Sequence, residues 1–264
     1  MARAANRKIA LFAPSLRGGG VERNMVNLAH GFVENGFEVH LVLSRAEGPF
    51  LKDVDDRVEI IDLKASRVFL SLPRLVGYLR RIRPDVLLSS MAHANFAAIV
   101  ARQAACTGCR LVVSVHTSIS VGGGYNEKWL DRHTARIGRA LYPKADRIVA
   151  VSRAVAEDLA ESSNLDPGTL TVIPNPVVMP DPQELADSDP DHPFFADGDP
   201  SLLVAVGRLS PEKGFDVLIE AHALLLKDRS IRLMILGEGS QRPHLEGLVR
   251  KLGSGGQVAM PGFV

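Results

Sequence analysis

Residues 202–215 read L-L-V-A-V-G-R-L-S-P-E-K-G-F, an apolar run followed by a short segment with two cations. The apolar run predicts a strand at 202–206, and the pattern at 216–226 predicts a helix. Arg208 and Lys213 therefore fall where a strand ends and a helix begins. Ligands of open α/β sheets bind beyond the carboxyl ends of the strands, and helix N-termini attract anions. The segment is predicted to bind a phosphate through backbone amides, a guanidinium and an ammonium.

The preceding chain alternates apolar runs with helical patterns in the same way. Predicted strands lie at 9–13, 39–43, 58–61, 86–88, 111–115, 148–151 and 170–173, and predicted helices at 21–33, 72–82, 95–105, 127–141 and 153–161. Strands that are apolar throughout, and that helices separate, indicate a parallel sheet covered on both faces. The predicted fold class is therefore α/β, with a doubly wound parallel sheet in the first part of the chain.

A change in composition divides the chain. Pro174-Asn175-Pro176 ends the first series, and residues 177–200 are proline-rich and acidic and contain no Lys or Arg, which is typical of a linker. Beyond it, predicted strands at 202–206, 233–236 and 258–260 with two or three helices make about half of a doubly wound domain. The predicted organisation is an N-terminal domain 1–176, a linker 177–200 and a partial second Rossmann-like domain 201–264.

The overall composition limits the possible functions. The chain has 264 residues, of which 46% are hydrophobic and 23% charged, with a net charge of +1. This is the composition of a soluble globular protein, and its charge does not favour a nucleic-acid partner. The apolar run at 9–13 is too short for the core of a signal peptide, and no later run reaches the roughly 18 residues of a membrane span. The predicted location is cytoplasmic.

Three consecutive glycines, Gly18-Gly19-Gly20, follow the first predicted strand. They lack the G-x-G-x-x-G spacing of dinucleotide-binding loops, and the chain has no Walker sequence. One interpretation is a tight passage from strand to helix, which often needs glycine. The other is a loop whose backbone approaches a ligand. The position at the carboxyl edge of a sheet favours the second interpretation, and Gly19 and Gly20 are candidate ligand-binding residues.

His116 directly follows another predicted strand, so it too is expected at the ligand-facing edge of the first sheet. A histidine there can donate to a sugar hydroxyl or a phosphate, although a single histidine is more often a packed or solvated residue. The chain's two cysteines, Cys106 and Cys109, form a lone C-x-x-C with no second pair. They are interpreted as incidental thiols rather than as a redox or metal site, and no metal ligands are predicted.

Two predicted helices carry clusters of arginine. Arg80, Arg81 and Arg83 end one helix, and Arg132, Arg136 and Arg139 fall at helical spacing on another. Such cations are normally solvated surface. The alternative is contact with anionic lipid head groups, which would make the protein peripheral at the inner face of the cytoplasmic membrane.

With these features placed, the chain resembles the GT-B glycosyltransferases of family 4, the group 1 type. The most specific stretch is G-R-L-S-P-E-K-G-F-D-V-L-I-E-A at 207–221. Shorter matches are G-G-V-E-R at 19–23, V-A-V-S at 149–152, V-I-P-N-P-V at 172–177 and L-G-E-G at 236–239. The resemblance covers nearly the whole chain, and it is what points to a sugar nucleotide.

The resemblance implies a retaining transfer of a sugar from a UDP- or GDP-sugar to an acceptor hydroxyl, without a metal ion or other cofactor. Arg208 and Lys213 would hold the donor diphosphate, and Gly19 and Gly20 would approach it through backbone amides. His116 would act at the donor sugar, and Gly237 and Glu238 would lie on the nucleoside side. The expected acceptor is a saccharide or a lipid-linked saccharide of the cell envelope.

One part of the family pattern is absent from the sequence. The family carries two glutamates eight positions apart after the strand that ends near Gly262, and none follow here. The second domain is therefore expected to be truncated. An alternative function is a catalytically incomplete homologue that only binds nucleotide or acceptor. A nicotinamide-dependent oxidoreductase is disfavoured because the dinucleotide-binding sequence is missing.

Overall fold

The computed structural model describes residues 7–118, 136–177, 192–195 and 201–263. The chain forms two compact units, Met1–Val178 and Met179–Val264, called here the N-terminal unit and the C-terminal unit. Of the helix predicted at 127–141, only 136–141 lie in the described part, and these residues are helical. Whether 177–200 act as a linker stays a prediction.

The N-terminal unit contains seven parallel strands in the order β3-β2-β1-β4-β5-β6-β7. The strands are β1 Lys8–Ala13, β2 Glu38–Leu43, β3 Glu59–Asp62, β4 Val86–Ser90, β5 Arg110–Val115, β6 Arg147–Ala150 and β7 Leu170–Val172. Helices α1 to α4 are Gly20–Glu34, Leu72–Ile82, Ala92–Ala105 and Arg153–Ser163. The predicted doubly wound α/β fold is confirmed, and the strand order reverses between β1 and β4.

Alternate residues of β1 enter two separate cores. Ile9, Leu11 and Ala13 pack with the buried side of α1, whereas Ala10 and Phe12 pack with residues of α2 and α3. Successive side chains of a strand point to opposite faces of the sheet. A strand that is apolar at every position must therefore be covered by other elements on both faces. This arrangement explains why β1 carries an unbroken apolar run.

The predicted start of α3 differs from the structure. The helical pattern places it at Asn95, whereas α3 begins at Ala92. Met91 has φ +77°, so the chain turns sharply as it leaves β4 and enters the helix at once. Sequence patterns locate helix ends poorly when no capping side chain marks them, and α3 has none. By contrast, Ser152 Oγ accepts from Val155 N–H at 3.2 Å and marks the start of α4.

The described part of the C-terminal unit has a short parallel sheet with the order β10-β9-β8. Its elements are β8 Leu202–Val206, α5 Phe215–Leu225, β9 Arg232–Leu236, α6 Arg242–Lys251 and β10 Val258–Gly262. Leu233 and Ile235 of β9 pack on buried residues of both helices. The fold prediction of a partial second domain is confirmed. The strand predicted at 202–206 is confirmed as β8, although none of its residues is buried.

Among the described residues, no helix combines the length and hydrophobicity needed to cross a membrane.

Candidate functional site

The segment between β8 and α5 contains a 3-10 turn, Pro211–Lys213, before the helix begins. Gly214 links the two with φ +63°. The stem of Lys213 folds back over Gly207: its Cδ and Cε atoms lie 3.7 Å from where a Cβ of Gly207 would be. A Cβ at position 207 would meet the lysine stem at an ordinary contact distance and Phe215 Cζ more tightly, at 3.3 Å.

Arg208 and Lys213 act on the same carboxylate. Ser210 Oγ donates to Glu212 Oε1 at 2.6 Å. This hydrogen bond, and then the positive charges of Arg208 and Lys213, lower the pKa of Glu212 below its ordinary value. The two cations predicted to bind an anion thus lie close enough together to stabilise one.

In the same segment, fewer backbone N–H groups are free to bind an anion than the sequence suggests. Its N–H groups donate to carbonyl oxygens of the C-terminal unit at five positions, namely Gly207, Leu209, Ser210, Lys213 and Gly214. These five amides are therefore not available to an anion, and the expectation that backbone amides meet it stays a prediction for the N–H groups at the start of α5. What the segment offers is the two side-chain cations.

The Gly237-Glu238-Gly239 turn lies directly beside this segment. Gly207 N–H donates to Leu236 O and Leu209 N–H to Glu238 O, both at 2.9 Å. A Cβ on Gly237, which has φ +137°, would lie only 2.0 Å from Gly207 O. The glycine at 237 is therefore needed so that the two backbones can approach each other.

Glu238 is held by a residue that the sequence interpretation missed. Arg242 pairs with both carboxylate oxygens of Glu238, at 2.9 Å from Nε and 2.8 Å from Nη2. Arg242 Nη1 also donates to Glu246 Oε1 and to Met260 O, each at 3.1 Å. The spacing of four residues on either side of Arg242 is the signal that could have indicated this network.

In the N-terminal unit, the glycine loop leads from β1 into α1. Gly18 has φ +106°, which explains a glycine there by backbone geometry alone. Gly19 precedes the helix in an extended conformation. A Cβ on Gly20 would meet no heavy atom within 4 Å. The fold of the unit therefore explains Gly18, but its packing gives no reason for a glycine at position 20.

His116 follows β5, as predicted, and is half-buried. Its Nε2 lies 3.0 Å from Ser114 Oγ, while its buried Nδ1 has no hydrogen-bond partner among the described residues. Burial lowers the pKa of the imidazole, so the ring is neutral near pH 7 and one nitrogen is a donor. Asn95, which the sequence analysis did not single out, donates from Nδ2 to Ser114 O at 2.9 Å and fixes this strand end.

A cavity of about 350 Å³ lies at the carboxyl edge of β1 and β2. Three arginines line it, Arg17, Arg45 and Arg67, with a single carboxylate, Glu47. Glu47 pairs with Arg17 Nη2 at 2.6 Å and with Arg45 Nε at 3.2 Å. The cavity therefore keeps an excess of positive charge. The sequence analysis missed it because its lining comes from three separate loops.

The cysteines lie away from these groups. Cys106 is exposed and Cys109 is buried, and both are free thiols. Burial raises the pKa of Cys109 to about 11, which makes its thiol unreactive near neutral pH. Within the described residues, no group of His, Cys, Asp and Glu has an arrangement that could hold a metal ion.

Comparison with known proteins identifies the family. The model of Glycosyltransferase Family 4 matches residues 18–179, more than half of the chain. The chain belongs to this family. A second model, Glycosyl transferases group 1, matches residues 190–264 of the same transferase.

Curated relatives of the transferase are themselves named as glycosyltransferases. One, from Campylobacter jejuni, is an N-acetylgalactosamine-N,N'-diacetylbacillosaminyl-diphospho-undecaprenol 4-α-N-acetylgalactosaminyltransferase. It is 28% identical over 270 positions, covering 97% of this chain and 70% of the relative. The lipopolysaccharide core biosynthesis glycosyltransferase LpsE of Rhizobium meliloti is 25% identical, covering 93% of this chain and 64% of the relative. The chain thus spans about two thirds of their length.

Solved structures share the fold of the transferase. HepE from Anabaena, solved with UDP and glucose, has a TM-score of 0.73 at 19% identity, covering 98% of this chain and 70% of that one. Sucrose-phosphate synthase from Thermosynechococcus elongatus has a TM-score of 0.77 at 17% identity, covering 98% of this chain and 71% of that one. The predicted GT-B fold is confirmed.

Proposed function

We propose that this family 4 glycosyltransferase moves a sugar from a UDP- or GDP-sugar to an acceptor hydroxyl, with retention at the anomeric carbon, in the synthesis of an envelope glycan. The observation that carries the donor assignment is the placement of Arg208 and Lys213 on one short segment between β8 and α5, with the Lys213 stem folded over Gly207. Two exposed cations on one such segment suit a diphosphate.

The proposed chemistry is electrostatic. As the bond between the anomeric carbon and the diphosphate breaks, negative charge develops on the leaving nucleotide, and preorganised cations stabilise it. Arg208 and Lys213 supply two positive charges there, so the proposal includes transfer without a metal ion. Addition of a chelator is expected to leave the rate unchanged, and a rate restored only by a divalent cation would contradict this part.

His116 and the glycine loop of the N-terminal unit are proposed to contact the donor as well, as the family resemblance implies. The neutral imidazole of His116 can donate one hydrogen bond to a sugar hydroxyl. The open space at Gly20 would allow a phosphate to reach the first amides of α1, where the helix dipole favours an anion. Gly237 and Glu238 are proposed to lie near the nucleoside. Glu238, which Arg242 holds on both oxygens, would have a fixed orientation there.

The acceptor is proposed to be a lipid-linked saccharide. The name of the Campylobacter relative specifies a diphospho-undecaprenol acceptor. The cavity lined by Arg17, Arg45 and Arg67 has the charge to hold a phosphate of such an acceptor. Competition between a soluble prenyl diphosphate and the acceptor would test this assignment.

The test of the donor site is titration calorimetry with UDP and GDP. Arg208→Ala and Lys213→Ala are expected to weaken nucleotide binding by roughly tenfold to a hundredfold each, the range for a charged hydrogen bond in a ligand site. Lys227→Ala and Arg229→Ala are the matched controls, because both side chains are exposed beyond the end of α5. Equal affinities for site and control variants would refute the site.

A second candidate function is nucleotide or acceptor binding without transfer. The observation that favours it is the exposure of β8, the strand that precedes the proposed diphosphate site. NMR analysis of the product from an anomerically pure donor would separate the two. A product of retained configuration supports transfer, whereas nucleotide binding with neither transfer nor donor hydrolysis supports the binding protein.

A further inference from the structure

Glu238 places a negative charge close to the two cations of the proposed diphosphate site. Its main-chain oxygen accepts from Leu209 N–H at 2.9 Å, so its backbone contacts the residue that follows Arg208. A Cβ on Gly239 would lie only 2.2 Å from Leu209 O, because the two backbones approach each other so closely. A carboxylate at this position could pair with a cation of the neighbouring segment. It would then compete with any anion that the segment binds.

The structure directs this carboxylate away from β8. The Oε1 atom of Glu238 lies 2.9 Å from where a Cβ of Gly262 would be, at the end of β10. In the sheet, β10 and β8 pair with opposite sides of β9, the strand that precedes Glu238. The carbonyl of Glu238 therefore faces the segment after β8, whereas its carboxylate lies over the end of β10.

Arg242, the first residue of α6, holds the carboxylate in that position. Its guanidinium binds both oxygens of Glu238 and also donates to Met260 O from Nη1 and Nη2, at 3.1 Å each. Because Met260 belongs to β10, the arginine is itself tied to that strand. A planar guanidinium that binds a carboxylate through two hydrogen bonds fixes its direction, which a single point charge does not do.

Without the guanidinium, the Glu238 carboxylate could change its direction. The side chain of Glu238 is 54% exposed, so the surrounding solvent leaves room for other staggered rotamers. Arg208 and Lys213 are exposed on the adjacent segment, and their positive charges would attract the released carboxylate. An internal ion pair of this kind would occupy the two groups that are proposed to bind the diphosphate.

We propose that Arg242 is a positioning residue of the donor site. It keeps the Glu238 carboxylate at the end of β10 and so leaves Arg208 and Lys213 free for the diphosphate of the nucleotide. This inference rests on the proposed donor site and adds to it a residue that acts through another side chain. It also explains how the chain tolerates a glutamate on the turn beside an anion site.

The test is a double-mutant cycle on the full chain, measured by titration calorimetry with UDP and GDP. Arg242→Gln is expected to weaken nucleotide binding by about tenfold, because the released carboxylate competes for the two cations. When Glu238 is also changed to Gln, the same Arg242→Gln change is expected to alter the affinity by less than about twofold, since no carboxylate is released. A purely structural role of Arg242 would cost the same in both backgrounds.

Three further variants complete the design. Arg250→Gln removes the same charge from the exposed last turn of α6 and is expected to bind like the wild type. Glu246→Gln is expected not to restore the affinity of Arg242→Gln, because Glu246 lies on the helix rather than on the turn. Arg242→Lys keeps the charge but loses the paired hydrogen bonds, and is expected to bind about threefold more weakly, again only when Glu238 is present.

Two sets of outcomes are distinguishable. Equal losses for Arg242→Gln in both backgrounds, no loss in either, or equal restoration by Glu246→Gln would overturn this inference without affecting the donor site. If the wild type binds neither nucleotide, or if Arg208→Ala binds as tightly as the wild type, the donor site itself fails and the inference fails with it. Circular dichroism melting checks that each variant folds, and Arg242→Lys carries the cycle if Arg242→Gln does not.

Discussion

β1 and β8 are the first strands of their units, and they carry similar apolar sequences, K-I-A-L-F-A and L-L-V-A-V. β1 lies between β2 and β4, and Ile9–Ala13 are buried. β8 has β9 on one side, and no other strand of the described residues pairs with it. Val206 is consequently 74% exposed. Hydropathy thus identifies both segments as strands but does not reveal how many neighbours each one has.

The segments that follow these two strands also differ in the groups that they offer to an anion. After β1, the chain leaves open space at Gly20 at the start of a long helix. After β8, five backbone amides already donate to carbonyl oxygens, and two side-chain cations, Arg208 and Lys213, are exposed. The segment after β8 therefore offers an anion two formal charges that Gly18-Gly19-Gly20 do not have.

The largest effect on stability is expected from replacing one leucine by alanine in the first strand of each unit. Leu11→Ala removes a fully buried side chain and should lower the free energy of unfolding by about 2–5 kcal/mol. Leu203→Ala changes a side chain that is 37% exposed and should cost roughly 1 kcal/mol. Urea unfolding, with hydrogen exchange to resolve the two units, measures both. A cost at Leu203 as large as that at Leu11 would show that β8 is covered in solution.

An intermediate effect is expected from adding one methyl group to a glycine of each unit. Gly237→Ala would place Cβ against Gly207 O in a positive-φ conformation, so we expect a loss of at least about 2 kcal/mol. Gly20→Ala should leave the unfolding free energy within about 1 kcal/mol, because its Cβ enters open space. The melting temperature of each variant provides the measurement.

Nucleotide titration of the same pair sharpens the comparison. Gly20→Ala is expected to bind UDP or GDP about tenfold more weakly, because the methyl group occupies the approach to the amides of α1. If the variant keeps both its stability and its affinity, the glycine loop does not meet the donor.

The smallest expected effect is on the pH dependence of stability, and it comes from His116 in the N-terminal unit. Because burial lowers the pKa of His116 below 6.5, the folded state favours the neutral ring. Its contribution to stability is fully present above about pH 6.5 and is lost as the pH falls through the lowered pKa. His116→Gln should therefore lose less stability than the wild type between about pH 7 and pH 5. The exposed His244→Gln is the control, and identical pH profiles for wild type and His116→Gln would contradict the expectation.

Much of the fold was predictable because its determinants are local. The helix predicted at 72–82 matches α2, and the strand predicted at 202–206 matches β8. Strand ends place Arg208, Lys213 and His116 at carboxyl edges, since a residue's position along an element follows from the sequence alone. The spacing of Arg242 from Glu238 and Glu246 was visible in the sequence, but its bond to Met260 O was not. The arginine-lined cavity was not predictable either, because its lining joins residues from separate parts of the chain.

The sequence by itself determined that this chain alternates strands and helices, that its cations and glycines follow first strands, and which family it resembles. These are properties of neighbouring residues and of their order. Only the tertiary structure decided that β1 is buried and β8 is not, that Gly237 lies against Gly207, and that Arg242 joins Glu238 to Glu246. Burial and electrostatic energy depend on distances between residues far apart in the chain, and only the folded backbone sets those distances.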